Sequence, residues 1–257
     1  GERVLSLGGA VTEIVFALGE EDRLVARDTT SSFPPEVERL PDVGYLRALS
    51  PEGVLSVSPD LVIAEQGAGP PEAIAVLEAA SIPFVSVPDG YDRAAIRAKI
   101  ESVASALGVD EKGKALANRI DAALLQAIST AHQGEEKRVL FILSMQGGRI
   151  LASGTNTAAD GIIRLSGAKN AMTGYEGYKQ LTDEAAIQAR PDVILMMDRG
   201  GGHAADDIEL FSHPGLAVTP AAKAKSVVRV DGLLLLGFGP RTPEAVQRLS
   251  EALDSAG

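Results

Sequence analysis

Short apolar runs rich in β-branched residues recur along the chain, each bounded by turn-forming residues and separated by segments with apolar positions at helical spacing. Arg3 to Leu7 (RVLSL), Asp60 to Ala64 (DLVIA) and Phe84 to Val87 (FVSV) read as buried strands, with helices around Thr12 to Leu18, Pro71 to Ala80 and Tyr91 to Leu107. This alternation predicts a βαβ series on a mostly parallel sheet. Leu116, Ile120, Leu124 and Ile128 then recur every four residues, which predicts one long amphipathic helix over about Glu111 to His132. Beyond it the alternation restarts. Arg138 to Leu143, Val193 to Met197 and Val227 to Val230 predict a second set of strands, and Thr242 to Leu253 a helix started by proline.

The two series also match in detail. Pro51-Glu52 leads through an apolar helix to Pro59-Asp60-Leu61-Val62-Ile63, and Asp183-Glu184 leads to Pro191-Asp192-Val193-Ile194-Leu195. Glu52 and Glu184 are 132 positions apart, as are Pro59 and Pro191. Each strand runs into a glycine-containing loop, Gly67-Ala68-Gly69 or Gly200-Gly201-Gly202. The fold class expected is therefore α/β: two Rossmann-like lobes with mostly parallel central sheets, 1–110 and 135–257, joined by one long α-helix at 111–134. In open α/β sheets ligands bind beyond the carboxyl ends of the strands, which would put a site in the cleft between the lobes.

Composition narrows the function. With 45% hydrophobic and 23% charged residues in 257, the chain has the profile of a globular protein with sizeable cores. Its 24 Lys and Arg against 35 Asp and Glu leave a net charge of -11, which repels nucleic acid and anionic lipid. An anionic ligand would need a local basic site. The absence of cysteine removes disulfides, thiolate metal sites and Cys nucleophiles. Leu7-Gly8-Gly9 follows a strand, but neither G-x-G-x-x-G nor G-x-x-x-x-G-K-[ST] is present, nor G-x-S-x-G or H-E-x-x-H. His132, His203 and His213 lack metal-ligand spacing.

The informative stretch is LPDVGYLRALSP at Leu40 to Pro51. Tyr45 follows Gly44 and precedes Arg47 by two residues, in a loop that should enter a helix capped by Ser50 with Glu52 in its first turn. Tyr45 can be plain packing. It can also be a ligand, since a nearby cation favours phenolate and phenolate is a hard anionic ligand for Fe(III).

The chain resembles the haem-binding periplasmic proteins of bacterial ABC haem importers, within the class of cobalamin- and siderophore-binding proteins with a helical connection between lobes (class III periplasmic binding proteins). The resemblance rests on RVLSLGGAVTEIVFALG at Arg3 to Gly19, LPDVGYLRALSPEGVLSVSPDLVIA at Leu40 to Ala64, GAKNAMTGYEGYKQLTDEAA at Gly167 to Ala186 and GFGPRTPEA at Gly237 to Ala245. The G-Y-[LM]-R and N-A-M-T-G-Y-E-G-Y-K pieces point to the haem branch.

That resemblance implies a carrier, not an enzyme, transporting ferric protoporphyrin IX with Tyr45 as its axial oxygen and Arg47 steadying the phenolate. It implies a basic contact from Arg199, and Tyr175 stacking on or hydrogen-bonding to a flat ligand. Some members use a histidine from the second lobe; here Ser144-Met145-Gln146 stands in that run, so Met145 becomes a neighbour of the iron and His203 a further candidate. Glu52 and Glu184 match the surface glutamates that dock on permease arginines. The implied partners are an ABC haem permease in the inner membrane and an outer-membrane haem receptor as upstream source, with no nucleic acid and a monomeric state. The chain opens at Gly1-Glu2 with no signal-peptide pattern, so periplasmic location is an expectation from the resemblance. The same-fold alternative is a ferric siderophore or cobalamin carrier in which Tyr45 packs instead of ligating.

Overall fold

Val4–Leu7 (β1) buries every side chain, which a strand does when helices cover both faces of a parallel sheet. It is paired in parallel with Leu24–Arg27 (β2) on one side and Leu61–Glu65 (β3) on the other, and β3 pairs in parallel with Phe84–Val87 (β4), giving the order β2-β1-β3-β4. The computed structural model describes all residues except 132, 199–205 and 257. Contacts divide them into two compact units, Gly1–Ala122 with Gly237–Pro240, and Ala123–Leu236 with Arg241–Gly257. The junction falls inside the Asp110–Ser129 helix, whose Leu116, Ile120 and Leu124 are buried as their spacing predicts. Gly237–Pro240 belongs with the first unit, a return of the chain that a division at the helix ends does not reveal.

In the first unit, helices at Gly9–Ala17, Pro51–Ser56, Pro71–Ala79 and Arg93–Leu107 follow the strands. Leu5, Leu7, Val62, Ala64 and Leu77 form a core that also takes in Leu46 and Leu49, so the segment carrying Tyr45 is fixed by its own apolar neighbours.

A polar network closes the carboxyl edge of this sheet. Asp28, fully buried, accepts from Gly8 N at 2.9 Å, Thr30 N at 3.1 Å, Thr30 Oγ1 at 2.7 Å and Ser31 Oγ at 2.8 Å. Gly8 takes φ +109, and a Cβ there would fall 2.4 Å from Glu65 Cδ, so the strand-to-helix turn needs glycine for both conformation and space. Glu65 Oε1 in turn accepts from Ala10 N at 3.2 Å in the first turn of the Gly9–Ala17 helix. Burial pushes the Glu65 carboxyl above its usual range, opposed by the Lys99 ammonium. Lys99 is itself buried, donating to Gly237 O at 3.3 Å with Asp89 Oδ1 3.7 Å away, and so holds the returning segment. Phe238, beside it, is buried and meets the Tyr91 ring edge-on at 5.5 Å.

The second unit, among the described residues, is built on Arg138–Gln146 (β5), Arg149–Ser153 (β6), Lys169–Asn170 (β7), Tyr178–Leu181 (β8), Val193–Asp198 (β9) and Val227–Asp231 (β10), in the order β10-β9-β5-β6-β8 with β7 on β5. The β10, β9, β5 and β7 pairings are parallel, while β6 and β8 add antiparallel strands. The strand pattern marked β5, β9 and β10 but passed over β6, β7 and β8. Three of the four residues of β8 are exposed, so an edge strand with little to bury leaves a weak apolar signal. The short β2 escaped for a related reason, ending on Arg27 after three apolar residues.

Asp28→Ala leaves buried donors unpaired and is expected to cost about 3 kcal/mol in urea unfolding; a loss below about 1 kcal/mol would contradict the network's role. For Glu65 the folded-state value lies above the ordinary 4.5, so below that range both states are protonated and the carboxyl has no effect on stability. As pH rises past 4.5, the folded state binds more protons than the unfolded one and stability falls until the raised value is passed. Wild type should therefore lose stability relative to Glu65→Gln as pH rises through that window, and a pH-independent difference would overturn the assignment.

Candidate functional site

The site residue predicted with most chemistry, Tyr45, sits in a loop whose backbone is fixed on both sides. Upstream, Pro41 O accepts from Arg27 N and Val43 N donates to Arg27 O, both at 2.9 Å, so the segment runs beside the end of β2. Asp42 then organises the turn. Its Oδ1 accepts from Gly44 N at 2.8 Å and Thr29 Oγ1 at 3.1 Å, and its Oδ2 lies 3.3 Å from Arg27 Nη1. Gly44 takes φ +99 and its carbonyl accepts from Thr29 N at 3.1 Å.

Downstream, Tyr45 O accepts from Ala48 N at 2.8 Å, closing a turn over Tyr45 to Ala48. Leu46 O accepts from Gly69 N and Leu49 N donates to Gly69 O, both at 2.9 Å, and the Leu46 and Leu49 side chains are buried. Anchoring Leu46 inward sends its neighbours outward: Tyr45 is 47% exposed and Arg47 is exposed. No hydrogen bond joins the phenol to the guanidinium among the described residues. The arrangement thus presents an aromatic hydroxyl and a cation on a hydrogen-bonded backbone, with neither group in a hydrogen bond or ion pair among the described residues.

The second unit treats its predicted residues differently. Tyr175 donates its hydroxyl to Ala152 O at 3.2 Å, and its ring lies 5.3 Å from Lys179 Nζ. Burial pushes its phenol above the ordinary range, which disfavours a phenolate there. Its carbonyl accepts from Thr155 N at 2.9 Å and closes on Gly154, where a Cβ would fall 2.1 Å from that oxygen. Met145, opposite Ile150 in the β5–β6 pair, packs with Tyr175 against the apolar core of this unit. Arg199 and His203 lie outside the described residues. Glu52 and Glu184 stand at matching places, exposed in the first turn of the Pro51–Ser56 and Asp183–Ala189 helices.

Two residues that hold these segments escaped the sequence reading. Asp42, two before a glycine, carries the signal of a side-chain-closed turn. Asn170 is buried, donates from Nδ2 to Gly154 O at 3.0 Å and Asp160 Oδ1 at 3.1 Å, and accepts from Met172 N at 2.9 Å. Much of the NAMTGYEGYK run is therefore architecture around Gly154. Among the described residues no group of three or more His, Asp or Glu could hold a bare metal ion. A surface cavity of about 400 Å³ along β10 and the last helix, lined by Lys225, Ser226, Val228 and Ser255, contains none of the candidates.

Two α/β units connected through a long helix carry an exposed tyrosine and arginine on an anchored loop of the first. The chain belongs to the periplasmic binding protein family, whose model matches residues 4–232. Over 256 residues it is 30% identical to an uncharacterised ABC transporter substrate-binding lipoprotein of Bacillus subtilis (strain 168), covering 98% of this chain and 80% of that one. Among solved structures it is similar to the periplasmic haem-binding protein BhuT in complex with two haems, at 44% identity, TM-score 0.93 and coverage of 99% and 98% of the two chains. It is likewise similar to the apo form of the periplasmic haem-binding protein RhuT from Roseiflexus sp. RS-1, at 39% identity, TM-score 0.95 and coverage of 100% and 99%. The chain is the extracytoplasmic substrate-binding component of an ABC transporter, working with a permease partner rather than as an enzyme.

The Asp42 turn makes a direct prediction. Asp42→Ala should speed amide hydrogen exchange of Gly44 by about tenfold or more while leaving buried β1 amides unchanged, and an unaltered Gly44 rate would show that the carboxyl does not hold the turn.

Proposed function

We propose that this protein captures ferric haem and delivers it to its permease, with the Tyr45 phenolate as axial ligand. The observation that carries the reading is the Tyr45–Ala48 turn, which leaves a phenol and a cation exposed on an anchored backbone. A porphyrin already supplies four nitrogens to iron, so one protein oxygen suffices and no cluster of metal ligands is required. Phenolate favours Fe(III), lowers the reduction potential and discourages oxygen chemistry, which suits a carrier. Arg47 would steady the iron-bound oxygen through a charge-assisted hydrogen bond, and in a chain of net charge -11 it also offsets repulsion of the haem carboxylates. The two similar haem-binding structures support the choice of ligand.

In this account residues 1–110 and 135–257 act as the two lobes and 111–134 as the helix between them. Tyr175, Met145, Arg199 and His203 would be the second lobe's groups nearest the haem, and Glu52 and Glu184 would meet the permease. The setting is the periplasm, with an outer-membrane receptor upstream and the chain working as a monomer.

An absorption titration of the ligand-free protein with ferric haem, run beside Tyr45→Phe and Arg47→Ala, tests the reading. Saturable binding with a high-spin ferric tyrosinate spectrum is expected, with Tyr45→Phe abolishing that spectrum and weakening affinity at least about tenfold. Arg47→Ala should keep the tyrosinate spectrum but weaken haem affinity about threefold or more. A spectrum unchanged in Tyr45→Phe would move ligation elsewhere. No saturable binding in the wild type would overturn the haem reading in favour of a siderophore or cobalamin.

A further inference from the structure

The two units carry the same small surface feature. Ser50 caps the Pro51–Ser56 helix by accepting from Gly53 N at 3.4 Å, and Thr182 caps the Asp183–Ala189 helix by accepting from Ala185 N at 3.2 Å. Counting from each cap, the second residue is an exposed glutamate, Glu52 or Glu184, and the fourth, Val54 or Ala186, is buried. The fifth is a large aliphatic residue left in solvent: Leu55 is 38% exposed and Ile187 43% exposed. Each acid stands three positions before its aliphatic partner, so the two share one face of their helix.

A single exposed aliphatic side chain needs no explanation on a soluble protein. The same class of residue at the same register, beside the same acid, on equivalent helices of both units is a repeated patch. Neither glutamate is engaged in an ion pair among the described residues, so both carboxylates are available to a partner.

We infer that Leu55 and Ile187 are the apolar halves of two equivalent docking patches, with Glu52 and Glu184 as the acidic halves, and that the partner is the permease. The inference rests on the reading of the two glutamates as permease contacts and adds the second component of each contact. Charge selects the occupant. A carboxylate-bearing patch on a chain of net charge -11 is repelled by anionic lipid, by nucleic acid and by a second copy of itself. It fits a cationic side chain set beside a shallow apolar socket. Two like patches on one chain fit a partner that offers that socket twice, as a two-fold symmetric membrane dimer does. The acids then govern approach and salt dependence, and the aliphatic side chains, once desolvated, prolong the complex.

The test measures binding of the full chain to its own ABC permease in nanodiscs across a range of salt concentrations. Leu55→Asn and Ile187→Asn are each expected to weaken binding about fivefold, mainly through faster dissociation, with the wild-type salt dependence retained. Glu52→Gln and Glu184→Gln should flatten the salt dependence. Leu125→Asn, altering a comparably exposed leucine of the connecting helix, should bind as wild type. Haem titration and thermal melting of each variant confirm an intact fold. If the two Asn variants bind within twofold of wild type while the Gln variants weaken, the apolar patches are refuted and the glutamate reading stands. If neither pair matters, both fail together; equal weakening by Leu125→Asn would refute the patches as specific sites.

Discussion

The buried carboxyl of Asp28 joins parts of the first unit that would otherwise be independent. It accepts from Gly8 at the end of β1 and closes the Thr30–Ser31 turn after β2. Thr29, inside that turn, donates to Gly44 O and to Asp42, the two residues that set the direction of the chain into Tyr45. The position of an exposed phenol thus traces back to a fully buried acid. Surface presentation needs this kind of support, because a side chain that leaves the core cannot be positioned by its own packing and depends on the backbone that carries it.

The same constraint explains the contrast between the two tyrosines on which the sequence reading relied. Tyr45 follows a glycine with positive φ and precedes a buried leucine, so its ring is directed outward. Tyr175 is clasped by Gly154, Thr155 and Ala152, so its hydroxyl is already used. Both stand in motifs of the haem-binding resemblance, but only Tyr45 has a side chain uncommitted to the fold. Burial raises the Tyr175 phenol above its ordinary range, which disfavours a phenolate there.

The strands that bury both faces, such as β3 and β9, were legible because their apolar runs are continuous, and so was the long helix with its four-residue spacing. The edge strand β8 and the two-residue β7 were not, since their side chains bury too little to leave a pattern. The return of Gly237–Pro240 to the first unit was invisible because it depends on Lys99, 138 positions away, and periodicity reports only local burial. At the candidate site, the Ser50 cap and the loop that carries Tyr45 and Arg47 were legible from residue type and spacing. Asp42 was passed over although its place two before a glycine signals a turn, because its contacts with Thr29 and Arg27 depend on the chain returning beside β2. Arg199 and His203 lie outside the described residues, so Arg199 rests on the resemblance and His203 on its place in the same glycine loop.

A parallel-sheet unit ends its strands at one edge, and here that edge is closed by Asp28, Glu65 and Lys99 while Tyr45 and Arg47 stay exposed in the loop after β2. The crystal structure of the chain loaded with ferric haem tests this account most directly. The account predicts the Tyr45 Oη bound to iron, with the Asp42–Gly44 turn in the geometry it has without ligand. Iron bound through any other residue of this chain, or a Tyr45 ring packed against the porphyrin without a bond to the metal, would contradict it.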